Sequence, residues 1–205
     1  MIGMSRAERL SPVHLALDHI IKINELWRAI VASEEMKEKN LEGFVRRARQ
    51  YPSLLAASGL VPSVTFFLSK IIDKDNPDEA LRLLVEYLTA EDEDKAKEIM
   101  NKMRSEAEAL NALKEDAGKK ESEGYLWFTG ALLAALFAFS EAVGIKVQLS
   151  DEERFVHEVA TFLRGLQEGR KEALVLERLL LEYSSELKNL AAAYAGAVWG
   201  AKGEG

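Results

Sequence analysis

Few side chains in this sequence could do chemistry, and their spacing decides most of what they can do. There is no cysteine, which removes thiol chemistry, disulfide scaffolds and zinc knuckles together. Three histidines remain: His14, His19 and His157. His14 and Asp18 are four apart and share a helix face, as metal ligands can. His19, however, lies about 100° round the helix from Asp18, and no further ligand cluster is near in sequence. A helix with one hydrogen-bonded histidine is expected there, and no metal. Glu91, Asp92, Glu93 and Asp94 make a carboxylate run that simply complements the dipole of a helix's first turn. His157, between Glu153 and Glu158, has the same plain reading. No glycine-rich phosphate loop opens a helix and no nucleophile–base set stands out, so neither a catalytic residue nor a cofactor is expected.

The stretch from Phe44 to Lys70, FVRRARQYPSLLAASGLVPSVTFFLSK, carries a different signal. Arg46, Arg47 and Arg49 fall within four residues and are followed by an apolar helix–glycine–helix ending in Lys70. On a rigid hairpin these cations form a rim able to track phosphates. Alternatively, they form a solvated helix end whose arginines pair with acids from 73–123. Arg164 and Lys188 join the phosphate-tracking set, on helices expected to pack nearby.

These residues need helices to position them. Ser11 with Pro12 caps a helix whose apolar residues, from Val13 to Val31, recur at spacings of three and four, running to about Lys39. Asn40 caps a second helix that Pro52 should bend or interrupt and that Gly59 should end as a left-handed cap. Pro62 starts a third, very apolar helix. Asn76–Pro77–Glu79 opens a fourth. From Glu91 to Asp116 the apolar stripe is narrow (Ala96, Ile99, Met103, Leu110, Leu113), predicting a charged helix lying on the body or projecting from it. GKKESEG, 118–124, reads as a flexible link. Gly144 stops the next helix, Ser150 with Glu153 is a capping box, Gly169 ends the helix it opens, and a last helix runs from about Glu172 to Val198. No segment holds strand alternation, so the expected class is all-α: one domain, 1–205, a compact bundle of about six to eight helices. Within it, 90–123 reads as an acidic helical insertion.

The 205 residues suffice for a sizeable core, and 48% hydrophobic content excludes disorder as the main state. Gly124 to Ser140 is free of charge for seventeen residues, short of the ~20 of a membrane span, and predicts a central core helix. Leu126, Trp127, Leu132, Leu133, Leu136 and Phe137 are its expected centre. The start, MIGMSRAERL, lacks the apolar stretch of a signal peptide, so a cytoplasmic protein without a membrane partner is expected. Net charge is −7 but unevenly spread: −1 over 1–42, +4 over 43–72 with no acid, −7 over 73–123 and −3 over 124–205. A basic surface therefore survives on an acidic chain.

The residues Arg46, Arg47, Arg49, Pro52, Leu54, Leu55, Ser58, Gly59, Leu60, Val64, Phe66, Phe67, Leu68 and Lys70, in that order, resemble the small helical subunit of the Cmr (type III-B) CRISPR effector complexes. SSELKNLAAAYAGAVWG, 184–200, is similar to that family's final helix. The resemblance implies a non-catalytic protein whose copies stack beside other Cmr effector subunits and line a groove for CRISPR guide RNA and target RNA. Base pairing reads the sequence there, so the subunit need supply only charge and shape. A helical protein–protein adaptor with no nucleic-acid role is the alternative. Salt-sensitive RNA retention and co-purifying effector subunits separate the two.

Overall fold

A computed structural model describes residues 11–31, 41–72, 77–117, 123–147 and 154–197. Nine helices and no strand occur among them: α1 (Pro12–Val31), α2 (Glu42–Ser58), α3 (Leu60–Ile72), α4 (Pro77–Thr89), α5 (Glu93–Ser105), α6 (Ala107–Asp116), α7 (Tyr125–Ala142), α8 (Phe155–Glu168) and α9 (Arg170–Ala197). The all-α expectation holds. The ninth helix arises because 91–116 divides at Glu106. Buried Ile99 and Met103 are four apart, as are buried Ala109 and Leu113. The break is Glu106, whose φ of −91° and ψ of 87° are not helical and whose N–H still bonds the Lys102 carbonyl. The pair α5–α6 lies on the body, against α4, and α6 also packs on α7.

The hydrophobic axis is α7, where Leu126, Trp127, Leu132, Leu133, Leu136 and Phe137 are all buried. It packs against α2, α3, α4, α6 and α9, while α1 lies along α9. Among the described residues α7 is the one helix long and apolar enough to cross a membrane, and 78% of that window is buried, as befits a core helix.

Several helix ends form differently from the expectation. Ser11 does cap α1, accepting the His14 N–H at 3.2 Å, and Pro77 does begin α4. Asn40, the end of the first helix beyond Val31, the 118–122 part of the link and the Ser150/Glu153 box lie outside the described residues. The residue at the cap of α2 is Leu41, whose φ of 54° is uncommon for a side chain and is held by complete burial. Pro52 does not interrupt α2: the helix continues to Ser58, with Tyr51 and Leu55 buried on either side of the proline. Gly59 ends α2 with φ 81° but ψ 175°, an extended turn and not a left-handed helical cap, and α3 starts at once from Leu60, before Pro62.

Three helix starts take a carboxylate from a distant element. Asp116, buried at the end of α6, accepts the Leu126 and Trp127 N–H groups at 2.7 and 3.1 Å, while Trp127 Nε1 donates to the Leu113 carbonyl at 2.9 Å. Asp78 on α4 accepts the Phe155 and Val156 N–H groups at 2.8 and 2.9 Å. Glu177 on α9 accepts the Leu60 N–H at 3.0 Å. Each supplies a partner to N–H groups that the helix itself leaves orphaned, with a charge of the favourable sign. Gly124, at the start of α7, sits so close to the backbone of Gly43 and Phe44 that no Cβ fits, and its φ is 82°.

Candidate nucleic-acid interface

The basic hairpin is built on an aromatic cluster joining α2, α3 and α7. Phe67 lies 5.6 Å from Tyr51, 5.8 Å from Tyr125 and 4.7 Å from Phe128, ring centre to ring centre. Tyr51 also meets Phe128 at 5.5 Å. These contacts fix the register of the hairpin: with Tyr51 against Phe67 and the chain turning at Gly59, Lys70 comes level with the turn of α2 that carries the arginines. The turn of α9 bearing Lys188 reaches the same level. Glu177, near the start of α9, binds Leu60 just past the end of α2, and the two helices pack along each other, so they run antiparallel.

The cations do not share one fate. Arg47 is only 5% exposed, with its guanidinium 4.0 Å above the Tyr125 ring and Nη1 donating to Gln50 Oε1 at 3.1 Å. It joins α2 to α7. Arg46 is half-buried and Arg49 exposed. Lys70 is exposed, its Nζ 5.4 Å from the Phe66 ring centre. Among the described residues neither Arg46, Arg49 nor Lys70 makes an ion pair, so the expected alternative of arginines neutralised by acids from 73–123 is not seen there for Arg46 and Arg49. Lys188 is also exposed. Exposed Arg164 lies on α8, whose last turn meets Leu60, Val61 and Pro62 in a shallow groove near the closed end of the hairpin. It is therefore nearer the end opposite Arg46 and Lys70. At about 1.5 Å per residue the two ends are some 15–20 Å apart.

Sequence reading missed two members of this surface: Tyr125, which holds Arg47, and Phe66, which is 41% exposed beside Lys70. Phe66 and Lys70 are four apart, a spacing that signals a shared helix face.

His19 is hydrogen-bonded, as expected, but inside the core and not on a solvated face. It is fully buried and its Nδ1 is 2.8 Å from the Tyr183 hydroxyl, which itself donates to the Ala131 carbonyl at 3.2 Å. Nδ1 therefore carries the proton and donates to Tyr183. Burial, with a smaller repulsion from Lys22, lowers the His19 pKa to about 3, so it is neutral and ties α1 to α9 and α7. No group of three or more potential metal ligands converges among the described residues.

Residues 22–140 match the family described as CRISPR-associated protein (Cas_Cmr5), more than half of the chain and including the whole basic hairpin and α7 up to Ser140. Neither the curated proteins nor the solved structures yield a match.

Proposed function

The chain belongs to the CRISPR-associated Cas_Cmr5 family, and from that premise we propose that it is the non-catalytic small subunit of a type III-B effector complex, acting in the cytoplasm. In this reading it stacks with further copies of itself beside other Cmr subunits and lines the groove for guide RNA and target RNA. The observation that carries the reading is the set Arg46, Arg49 and Lys70: cations level with one another, without ion-pair partners among the described residues, in a stretch holding no acid. Such a rim meets phosphates irrespective of sequence, which suits a duplex whose sequence is read by pairing. Lys188 extends the rim. Arg164 is a contact nearer the closed end of the hairpin, and Arg47 acts by holding α2 on Tyr125.

The test is to purify the tagged full-length chain from its native host under gentle conditions and identify what accompanies it. This reading expects other Cmr subunits together with guide RNA, and RNA protected in the complex. Recovery of a protein partner without nucleic acid would support the adaptor reading in its place.

A further inference from the structure

We propose that Phe66 is a stacking platform for an unpaired RNA base, with the adjoining phosphate held by Lys70. The proposal rests on the RNA-groove reading above and adds to it the kind of nucleotide bound. Most large apolar side chains of the hairpin are turned inward, Phe44, Tyr51, Leu55, Val64, Phe67 and Leu68 among them, while Phe66 in the middle of α3 and Ile72 at its end are exposed. Phe66 stays 41% exposed, yet it is not a loose side chain. Its ring stands edge-on to Phe67 at 5.3 Å and 87°, and Phe67 is fixed in turn by Tyr51, Tyr125 and Phe128. The ring thus has one fixed aromatic neighbour on the protein while part of it meets solvent, which limits the ordering to be done on binding.

The cation beside it selects the occupant. Lys70 Nζ lies over the ring, 5.4 Å from its centre, and has no ion-pair partner among the described residues, so a phosphate can draw it aside and open the ring face to a base. A flat apolar surface next to an ammonium, on a hairpin with no acid from 43 to 72, is complementary to a base joined to a phosphate. Paired bases in a duplex are already stacked on one another, so the platform takes a nucleotide that is out of the helix, at a gap or an end. Aromatic–base stacking is indifferent to sequence, as a groove for any guide requires.

The experiment uses the reconstituted complex carrying target RNA with 5-iodouridine at successive positions. Irradiation should crosslink the RNA to Phe66 at particular positions only. The crosslink should vanish in Phe66→Ala and persist in Phe66→Tyr, which keeps a ring and guards against a merely misfolded variant. Phe66→Ala should also weaken RNA binding by about five- to a hundredfold, with no change in its salt dependence, as loss of a stacked base implies. If Phe66 gives no crosslink and Phe66→Ala binds normally, while Arg46→Ala/Arg49→Ala/Lys70→Ala flattens the salt dependence, stacking is refuted and the groove reading stands. If the basic variant also leaves RNA binding unchanged, the groove reading fails and this proposal with it. Release of Phe66→Ala from the complex in the absence of RNA would make the ring a protein contact and overturn the proposal.

Discussion

Asp116 shows how much one side chain does here. Its carboxylate serves two N–H groups at the start of the core helix from the end of a different helix, in a site 1% exposed. Asp116→Ala leaves those donors in an apolar interior and should cost about 1–3 kcal/mol in urea unfolding. His19 gives a pH signature. Its folded pKa of about 3 lies below the ordinary 6.5, so between these values the unfolded chain binds a proton that the folded chain refuses. Stability should therefore fall as pH drops from 6.5 towards 3, by up to about 1.4 kcal/mol per pH unit from this group. Urea unfolding of His19→Gln across that range should show a shallower decline; an identical slope would mean that the imidazole is not buried neutral. Residue types were legible in the sequence, but partners were not. Asp116 and Asp78 look like any helix-end acids until the fold brings other helices to them. Arg47 was legible in part: it stands three residues after Phe44 and four before Tyr51, on the inward stripe of α2, and that spacing outweighs its charge.

At the scale of elements, periodicity gave the helices and missed their ends. The apolar run of α7 marked the core directly. Leu133→Ala should open a cavity in it and cost about 2–5 kcal/mol by thermal or denaturant unfolding; no change would take Leu133 out of the core. Gly124→Ala should be as damaging for a different reason, since its Cβ would meet the backbone of α2 at a positive φ. The caps of α3, α7 and α8 were hidden because their acceptors lie 117, 10 or 11, and 77 or 78 residues away along the chain. The division at Glu106 was hidden because Ala109, Leu110 and Leu113 continue the stripe of Ile99 and Met103 as they would on one straight helix. Deleting 91–116 would remove Asp116 and the Leu113 carbonyl, so it probes α7 and not charge alone.

Over the whole molecule, charge is divided between the stretch 73–123, at −7, with Glu91, Asp92, Glu93 and Asp94 at the start of α5, and a basic hairpin. Glu91, Asp94 and Glu98 are exposed, so Glu91→Gln/Asp94→Asn/Glu98→Gln should fold normally and test the acidic surface without disturbing α7. With a net charge of −7, the free chain should bind RNA weakly, and the variant should bind it more tightly at low salt as repulsion is relieved. In the complex, several copies would each add a weak contact at high effective concentration, and the same substitutions should change little. A basic stretch on an acidic chain was legible from composition; which of its cations stay available to a ligand was not, because that depends on the ring of Tyr125 arriving from α7. The most direct measurement is RNA binding by the reconstituted complex across a series of salt concentrations, with the native chain and with Arg46→Ala/Arg49→Ala/Lys70→Ala. The account predicts weaker binding and a shallower salt dependence for the variant, by up to about one log unit of slope for each phosphate no longer neutralised. Equal affinity and equal slope in an intact complex would contradict it.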